Sequence, residues 1–315
     1  LIVIGSRGVC QADCSGTGYA SADAVININA DLGDVTHYNR TVALAGDIGV
    51  VVSQLLEALQ KEGGADPVRA KAWLGATAAK KREWEALKAE RYAHPVLHDE
   101  TWGRPVLTQP AAIKIACDFA KSIGAVKFFD AGDVQAVGFQ VAEDDEPNQT
   151  VTETGASYMG FAASALLAAA VAERPRYGIA FSGDGAFFMN PQVLLDGVLH
   201  GARGTILLLD NRRMAAISGL QEAQYGYAFR THDGVAVDYV RLASAVPGVK
   251  ALRGGDTPDA LRAALVEAAQ HPGLSLVHVP VYYGPDPLGG LGAYGVWNVG
   301  NWCEDVQARY HTQNI

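Results

Sequence analysis

The chain has little cysteine, little basic charge and no long apolar run, and each shortage removes a class of protein. Four cysteines in 315 residues, Cys10, Cys14, Cys117 and Cys303, are too few for a disulfide scaffold, and none has the Cys-x-x-Cys spacing of a zinc site. The Cys10 and Cys14 pair reads as two reduced thiols. Lysine and arginine number 25 against 34 aspartate and glutamate, a net charge of -9, which argues against a nucleic-acid binder. No run of 18 apolar residues is present, so no membrane helix is expected. No Gly-x-Gly-x-x-Gly follows a strand pattern, which disfavours a Rossmann-type nucleotide oxidoreductase. A soluble, cytoplasmic protein is expected.

What is plentiful is core-forming and turn-forming material. Hydrophobic residues make up 49% and glycines number 35, enough for a sizeable core in one large or two moderate domains. The organising stretch is Ser182 to Asn211. A strand pattern, Tyr177 to Phe181, runs into Gly183-Asp184-Gly185. Two glycines there let the backbone approach an anion closely and leave its amides unblocked, so a phosphate fits. Asn190 and Pro191 read as N-cap and first residue of a helix to His200. Thr205 to Leu209 is a β-branched and leucine run typical of a buried parallel strand, followed by Asp210 and Asn211.

If those two strands are neighbours, Asp184 and Asn211 emerge at the same carboxyl edge, where doubly wound folds bind ligands. Two hard oxygen ligands beside a glycine-rich phosphate turn suit Mg²⁺, which takes few protein ligands and fills its octahedron with phosphate oxygens and water. The implied ligand is a diphosphate.

Gly183-Asp184-Gly185, a 25-residue spacer and Asn211 together resemble the motif of thiamine diphosphate (ThDP) enzymes. The resemblance is strong over residues 108–281 and looser before Asp66. It implies an α/β fold, a doubly wound parallel sheet of five or six strands preceded by part of a Rossmann-like central domain. Residues 1–65 would be the partial central (transhydrogenase-like) domain, 66–107 a linker helix and loop, 108–283 the ThDP pyrophosphate-binding domain and 284–315 a C-terminal tail. Cofactor contacts are implied for Gly132, Asp133, Met159, Gly183, Asp184, Gly185, Ala186, Asn211 and Met214. Mg²⁺ ligands are implied for Asp184, Asn211 and the backbone carbonyl of Arg213. Met159 stands 25 residues before Asp184, where the family places a bulky apolar wedge between the two cofactor rings; a gap-filling core methionine is the alternative. For Gly132 and Asp133 the alternative is a simple strand-to-loop turn. Within the superfamily, Thr154 to Phe161, the segment from Asp210-Asn211 to Leu220-Gln221 and the Trp297 tail are most similar to trihydroxycyclohexane-1,2-dione hydrolases, with acetolactate synthases next.

In chain order, Leu1 to Ile4 and Ala24 to Asn29 read as buried strands and Ile48 to Leu59 as a helix, with Gly5 to Gly8 a structural turn in preference to a nucleotide-phosphate turn, for which the full fingerprint is missing. Asp66-Pro67 starts a charged helix to about Arg91, with Trp73, Trp84 and Leu87 at apolar positions. His94, His98 and Arg104-Pro105 lie in a segment without helix or strand period, with exposed histidines. Thr108 caps a helix to Ser122, Val126 to Phe129 is a strand, and Glu143 to Thr150 is a polar loop expected near the cofactor rim. A small-residue helix is expected over Ala162 to Glu173. Arg212 and Arg213 are expected to extend their side chains into solvent, with substrate binding the alternative. Asp238 to Ala245 and Pro258 to Ala269 read as helices, and Ser275 to Val281 as a strand, with His271 and His278 structural. The aromatic tail, with Tyr294, Trp297 and Trp302, is expected to cover the active site or a subunit contact.

ThDP carries the hard chemistry in this family, and protein supplies shape and proton transfer. The resemblance also implies an activating glutamate on a separate pyrimidine-binding domain, and residues 1–107 hold no such domain. The chain therefore reads as part of a longer ancestor or as one subunit, with Glu153 a poor substitute for that glutamate. A pyrimidine-binding partner is implied, in a dimer of heterodimers or a homo-oligomer of a longer chain. The substrate would be a small carbonyl compound, a 2-oxo acid or cyclic diketone, undergoing decarboxylation, carboligation or C–C hydrolysis. A non-catalytic assembly or regulatory subunit is the alternative, and the intact Asp184 and Asn211 argue against it.

Overall fold

The computed structural model describes residues 1–6, 19, 21–36, 38, 40–153, 156–232, 234–282, 284, 308 and 311–312. The readings on Cys10, Cys14, Cys303, Gly8 and the Tyr294, Trp297 and Trp302 tail lie outside the described residues. The chain divides into two compact units, one of Leu1–Leu87, Glu222–Gly226 and Gly292–Ile315, the other of Lys88–Gln221 and Tyr227–Leu291. Among the described residues no helix is long and apolar enough to cross a membrane.

The first unit holds strands β1 (Ile2–Ile4), β2 (Val25–Asn29) and β3 (Thr41–Ala45), paired in parallel in that order, with helices α1 (Leu32–Val35) and α2 (Ile48–Lys61). Strand β2 buries Val25 and Ile28 together with Asn27, whose Nδ2 donates to the Asp34 carbonyl at 2.9 Å. Asp31 and Asp47 cap the two helices by accepting backbone amides. Helix α3 (Pro67–Ala93) starts where Asp66 accepts the Val68 amide, as expected from the Asp-Pro pair. Of its expected apolar positions Trp84 and Leu87 are partly buried, but Trp73 is 71% exposed, and Lys88 is buried and pairs with Glu143 at 2.8 Å.

From Val96 onward the elements are β4 (Val96–Asp99), β5 (Arg104–Thr108), α4 (Gln109–Ser122), β6 (Val126–Phe129), α5 (Asp133–Val141), β7 (Thr150–Thr152), α6 (Phe161–Val171) and β8 (Gly178–Gly183). They continue with α7 (Asp184–Phe187), α8 (Val193–Leu199), β9 (Gly204–Asp210), α9 (Ala215–Tyr225), α10 (Tyr239–Ser244), β10 (Lys250–Arg253), α11 (Pro258–Gln270) and β11 (Leu274–Tyr282). The strands form one sheet in the order β4-β5-β11-β9-β8-β6-β7, with β10 also on β11, and only β4 runs antiparallel. Side chains alternate between its two covered faces. Phe181, Leu209 and Val279 meet α4, α5 and α11, and Ala180, Leu208 and Leu276 meet α6, α8 and α10. Burial on both faces explains why the strands read as unbroken apolar runs.

The expected α/β fold is present, but the sheet has eight strands and is mixed, not five or six parallel ones. The additional strands are short edge or partial strands of three to five residues, too brief for a period-2 signal, and β4 and β5 occupy the stretch read as irregular. The loop before β7 does not lie near the carboxyl edge. It precedes a strand parallel to β6, so it runs along the amino edge, where Lys127 pairs with Asp144 at 2.7 Å and donates its amide to Gln149 at 2.9 Å. The helix expected from Asn190 begins at Val193. Its entry is a tight turn with i to i+3 bonds, and Asn190 spends its side-chain amide on Ser164 Oγ at 2.8 Å instead of capping.

Chain direction fixes where a ligand can enter. The path leaves β6 toward β7 on one side, and leaves β8 toward β9 on the other. The crevice beyond the carboxyl ends of β6 and β8 is therefore the topological switch point. At the opposite, amino edge, close approach of β8 and β9 depends on glycine: a Cβ on Gly204 would stand 2.6 Å from the Gly178 carbonyl oxygen and 2.9 Å from Leu166 Cδ2. Backbone cannot yield as a flexible side chain can, so Gly204→Ala is predicted to destabilise the chain by about 2 kcal/mol in urea unfolding. An unchanged midpoint would contradict this packing.

Candidate cofactor site

Three turns meet the switch-point edge: Asp130 to Asp133 after β6, Gly183 to Ala186 at the end of β8, and Asp210 to Met214 after β9. Register places them together. Phe129 pairs with Phe181, and Gly183 pairs with Leu209, so Asp184 and Asn211 leave adjacent parallel strands at the same edge, as the spacing requires. Both side chains are buried.

Asp130 joins two of these turns to a third segment. Its Oδ1 accepts the Gly160 amide at 2.7 Å and the Ala131 amide at 3.1 Å, and its Oδ2 accepts the Ser182 hydroxyl at 2.7 Å. One carboxylate thereby fixes the residue after Met159 and the residue before Gly183. Burial pushes the Asp130 carboxyl pKa up, and its bonds to Ser182 and to the amides of Gly160 and Ala131 oppose the shift. Asp130 stands directly before the turn of Gly132 and Asp133, but nothing in the sequence says which residues it reaches.

Gly132 has φ 87° and ψ -151°, a conformation left to glycine, and a Cβ there would meet nothing within 4 Å. It caps α5, whose first residue is Asp133. Although Asp133 as a residue is only partly buried, its carboxyl group is enclosed; burial pushes its pKa up, offset in part by the Gln109 side chain and the first amides of α5. Asp133 Oδ2 accepts from Asn211 Nδ2 at 3.3 Å, which turns the carboxylate inward and orients the asparagine amide. Asn211 Oδ1 in turn accepts the Arg213 amide at 3.1 Å.

Arg212 adopts a left-handed φ of 56°, which costs a non-glycine residue about 1 kcal/mol. Its amide donates to Asp210 Oδ1 at 3.0 Å, the compensation that an Asx turn provides. Its guanidinium sits over the Trp102 ring at 5.9 Å, and the residue is partly buried rather than extended into solvent as expected. Arg213 forms an isolated bridge with His232, and the Met214 amide donates to the Thr231 carbonyl at 2.8 Å, so the turn after β9 is anchored on a second segment.

Met159 and Met214 converge on Gly185. A Cβ at that glycine would stand 3.0 Å from Met214 Sδ and 3.4 Å from Met159 Cε. Two polarizable thioethers thus flank the glycine turn, and Ala186 is buried behind it. Gln135 supports the approach to Met159 by donating to Thr152 Oγ1 at 2.7 Å and the Glu153 carbonyl at 2.8 Å, while accepting from Ser157 Oγ at 3.1 Å. Glu153 accepts the amides of Ala156 and Tyr158, a local structural task.

Every residue singled out from the sequence for the site therefore lies on one of these turns or, as Met159 does, against one. Besides Asp130, the sequence reading gave no role to Gln135 or to the buried bond between Asp210 and His278. All three depend on side chains far apart in the chain. Among the described residues there is no cluster of three histidine, cysteine, aspartate or glutamate side chains for a metal. A cation held by one carboxylate, one side-chain amide and one backbone carbonyl needs none.

Comparison with known proteins agrees with this geometry. The family described as thiamine pyrophosphate enzyme, C-terminal TPP binding domain, matches residues 130–279, which begin at Asp130 and end in β11. Thiamine pyrophosphate is another name for ThDP. The 3D-(3,5/4)-trihydroxycyclohexane-1,2-dione hydrolase of Shouchella clausii is 32% identical over 162 residues, 50% of this chain and 25% of that protein. Acetolactate synthase isozyme 1 large subunit of Escherichia coli is 24% identical over 296 residues, 89% of this chain and 47% of that protein. The isozyme 2 large subunit of the same organism is 28% identical over 286 residues, again 89% and 47%. The chain thus spans a quarter to about half the length of these relatives. Residues 130–279 form a ThDP-binding type of domain related to the ThDP enzyme superfamily, with partial, low-identity similarity to trihydroxycyclohexane-1,2-dione hydrolases and acetolactate synthases.

Proposed function

We propose that this chain binds ThDP through Mg²⁺ at the switch-point edge and serves an enzyme that makes or breaks a C–C bond next to a carbonyl. The observation that carries the reading is the placement of Asp184 and Asn211 at the ends of the adjacent parallel strands β8 and β9, beside a glycine turn. The residues fit the group. Asp184 and Asn211 bring hard oxygen donors, as Mg²⁺ requires, with the Arg213 carbonyl as the third. Gly183 and Gly185 leave the backbone open to a diphosphate, and the space beside Gly185 is one that a single Cβ would crowd.

Each remaining residue of the site has a task in this reading. Gly132 leaves the backbone open to the diphosphate on the β6 side, with Asp133 orienting the Asn211 amide. Met159 and Met214 form an apolar wall that shapes the bound cofactor and keeps water from it, with Ala186 behind the turn. Asp130 and Gln135 hold the wall and the cradle in register. When bound, ThDP would supply a nucleophilic carbon for a carbonyl and a ring that serves as electron sink for the bond that breaks.

The proton transfer that activates the cofactor is assigned to a pyrimidine-binding domain supplied by another polypeptide or by a longer form of this chain. Assembly would then be a dimer of heterodimers or a homo-oligomer of the longer chain. Residues 1–65 are proposed as part of a central domain, 66–107 as a linker, 108–283 as the pyrophosphate-binding domain and 284–315 as a tail. A 2-oxo acid or cyclic diketone is the proposed substrate class, with decarboxylation, carboligation and C–C hydrolysis as the reaction types, and a cytoplasmic setting is proposed.

Asp184→Ala is expected to weaken Mg²⁺-dependent ThDP binding about 100-fold or more, because the cation loses its charged ligand. Calorimetric titration of the full chain with ThDP in Mg²⁺ and in chelator measures this, and equal affinity of variant and wild type would refute the assignment. Asp130→Ala strands a buried amide and a buried hydroxyl, so it is expected to cost about 3 kcal/mol in urea unfolding. Unchanged stability would show that the carboxylate does not hold the site together.

A further inference from the structure

The only strongly buried histidine that the cofactor reading leaves unused, among the described residues, is His278. It lies in β11, 68 positions from its partner, and donates from Nε2 to Asp210 Oδ2 at 2.8 Å with both side chains buried. The acceptor is a carboxylate, so Nε2 carries the hydrogen of this bond. The ring is held between two aromatic neighbours, Tyr239 at 5.2 Å and Trp102 at 6.4 Å between centroids.

Asp210 uses its other oxygen, Oδ1, to accept the Arg212 amide and so supports that residue's left-handed backbone. The next link is Asn211 Oδ1, which accepts the Arg213 amide. Trp102 reinforces the same turn from the side-chain direction, since it touches the His278 ring and lies under the Arg212 guanidinium at 5.9 Å. A histidine from β11 therefore sets a carboxylate at the end of β9, and that carboxylate sets the backbone of Arg212, the residue between Asn211 and Arg213.

We propose that His278 is a positioning residue for the cation-binding turn: through Asp210 it fixes the orientation of the Asn211 side chain and the Arg213 carbonyl. This rests on the reading that those two groups hold Mg²⁺. Ligand carboxylates and amides oriented by such supporting bonds lose about 10- to 100-fold in metal affinity when the support is removed. His278 touches neither cation nor cofactor. Its effect is transmitted by one hydrogen bond, so restoring a donor at this position restores the effect.

The test compares His278→Phe, which keeps a ring between Tyr239 and Trp102 but has no donor, with His278→Gln, which keeps a donor on a smaller side chain. Two readouts are taken on the full chain: amide hydrogen exchange at Arg212 and Arg213 without cofactor, and Mn²⁺ affinity in the presence of ThDP. The expected result is about tenfold faster exchange and about tenfold weaker Mn²⁺ binding in His278→Phe, with both returning to within about threefold of wild type in His278→Gln. Wild-type exchange and affinity in His278→Phe would overturn the proposal. Equal losses in both variants would also overturn it, because they would assign the effect to ring packing rather than to the donor. If wild type binds no Mn²⁺ with ThDP, the cofactor reading fails on its own. Hydrogen exchange then decides the positioning role: faster exchange reversed by glutamine supports it, and unchanged exchange overturns it.

Discussion

The Asp130 carboxylate is the interaction on which the rest of the site depends. It sits at the end of β6, fully buried, and holds the Gly160 amide and the Ser182 hydroxyl at once. Those bonds tie three segments that are distant in sequence to a single point at the switch of the sheet. A buried carboxylate is costly unless its oxygens are occupied, and here the donors come from the very turns that must stay in register. The constraint works in both directions, since the turns satisfy the charge and the charge locates the turns. From that point the rest follows by strand pairing: β6 fixes β8, β8 fixes β9, and the side chains of Asp184 and Asn211 arrive at one edge.

A second tier of contacts sits behind the first. Asp133 holds the Asn211 amide, Gln135 holds the segment before Met159, and His278 holds Asp210. None of these needs to touch a diphosphate to matter. In the proposed function they divide the labour: backbone and glycine accommodate the anion, Asp184, Asn211 and the Arg213 carbonyl hold the cation, and Met159 with Met214 supplies an apolar wall. The same proposal leaves proton transfer to a partner domain, in keeping with a site whose own residues are devoted to binding and shape.

Much of this was legible in the sequence, because it depends on local rules. Val126 to Phe129 and Thr205 to Leu209 are buried on both faces, so they read as apolar runs, and the glycine turn with its spaced asparagine marks the shared edge. Thr108, Asp238 and Thr257 cap helices as their residue types suggest. What the sequence hid was set by partners far along the chain. The β4 and β5 pair is too short to show a period, and its strand character comes from pairing with each other and with β11. For the polar loop before β7, which lies at the amino edge, composition says surface but not which end of the sheet. Asn190 looked like a cap, yet a nearby Ser164 claims its amide. His278 looked structural and is buried, but its bond to Asp210 spans 68 positions and no local pattern announces it.

The most direct measurement of the central claim is the position of the cation. Crystals of the full chain grown with ThDP and Mn²⁺ in place of Mg²⁺ would locate the metal by its anomalous scattering. The account predicts one strong peak at coordination distance, about 2.1 Å, from an Asp184 carboxylate oxygen, Asn211 Oδ1 and the Arg213 carbonyl, with the diphosphate against Gly183 to Gly185. A metal bound elsewhere, or a diphosphate placed away from the carboxyl ends of β6, β8 and β9, would contradict it.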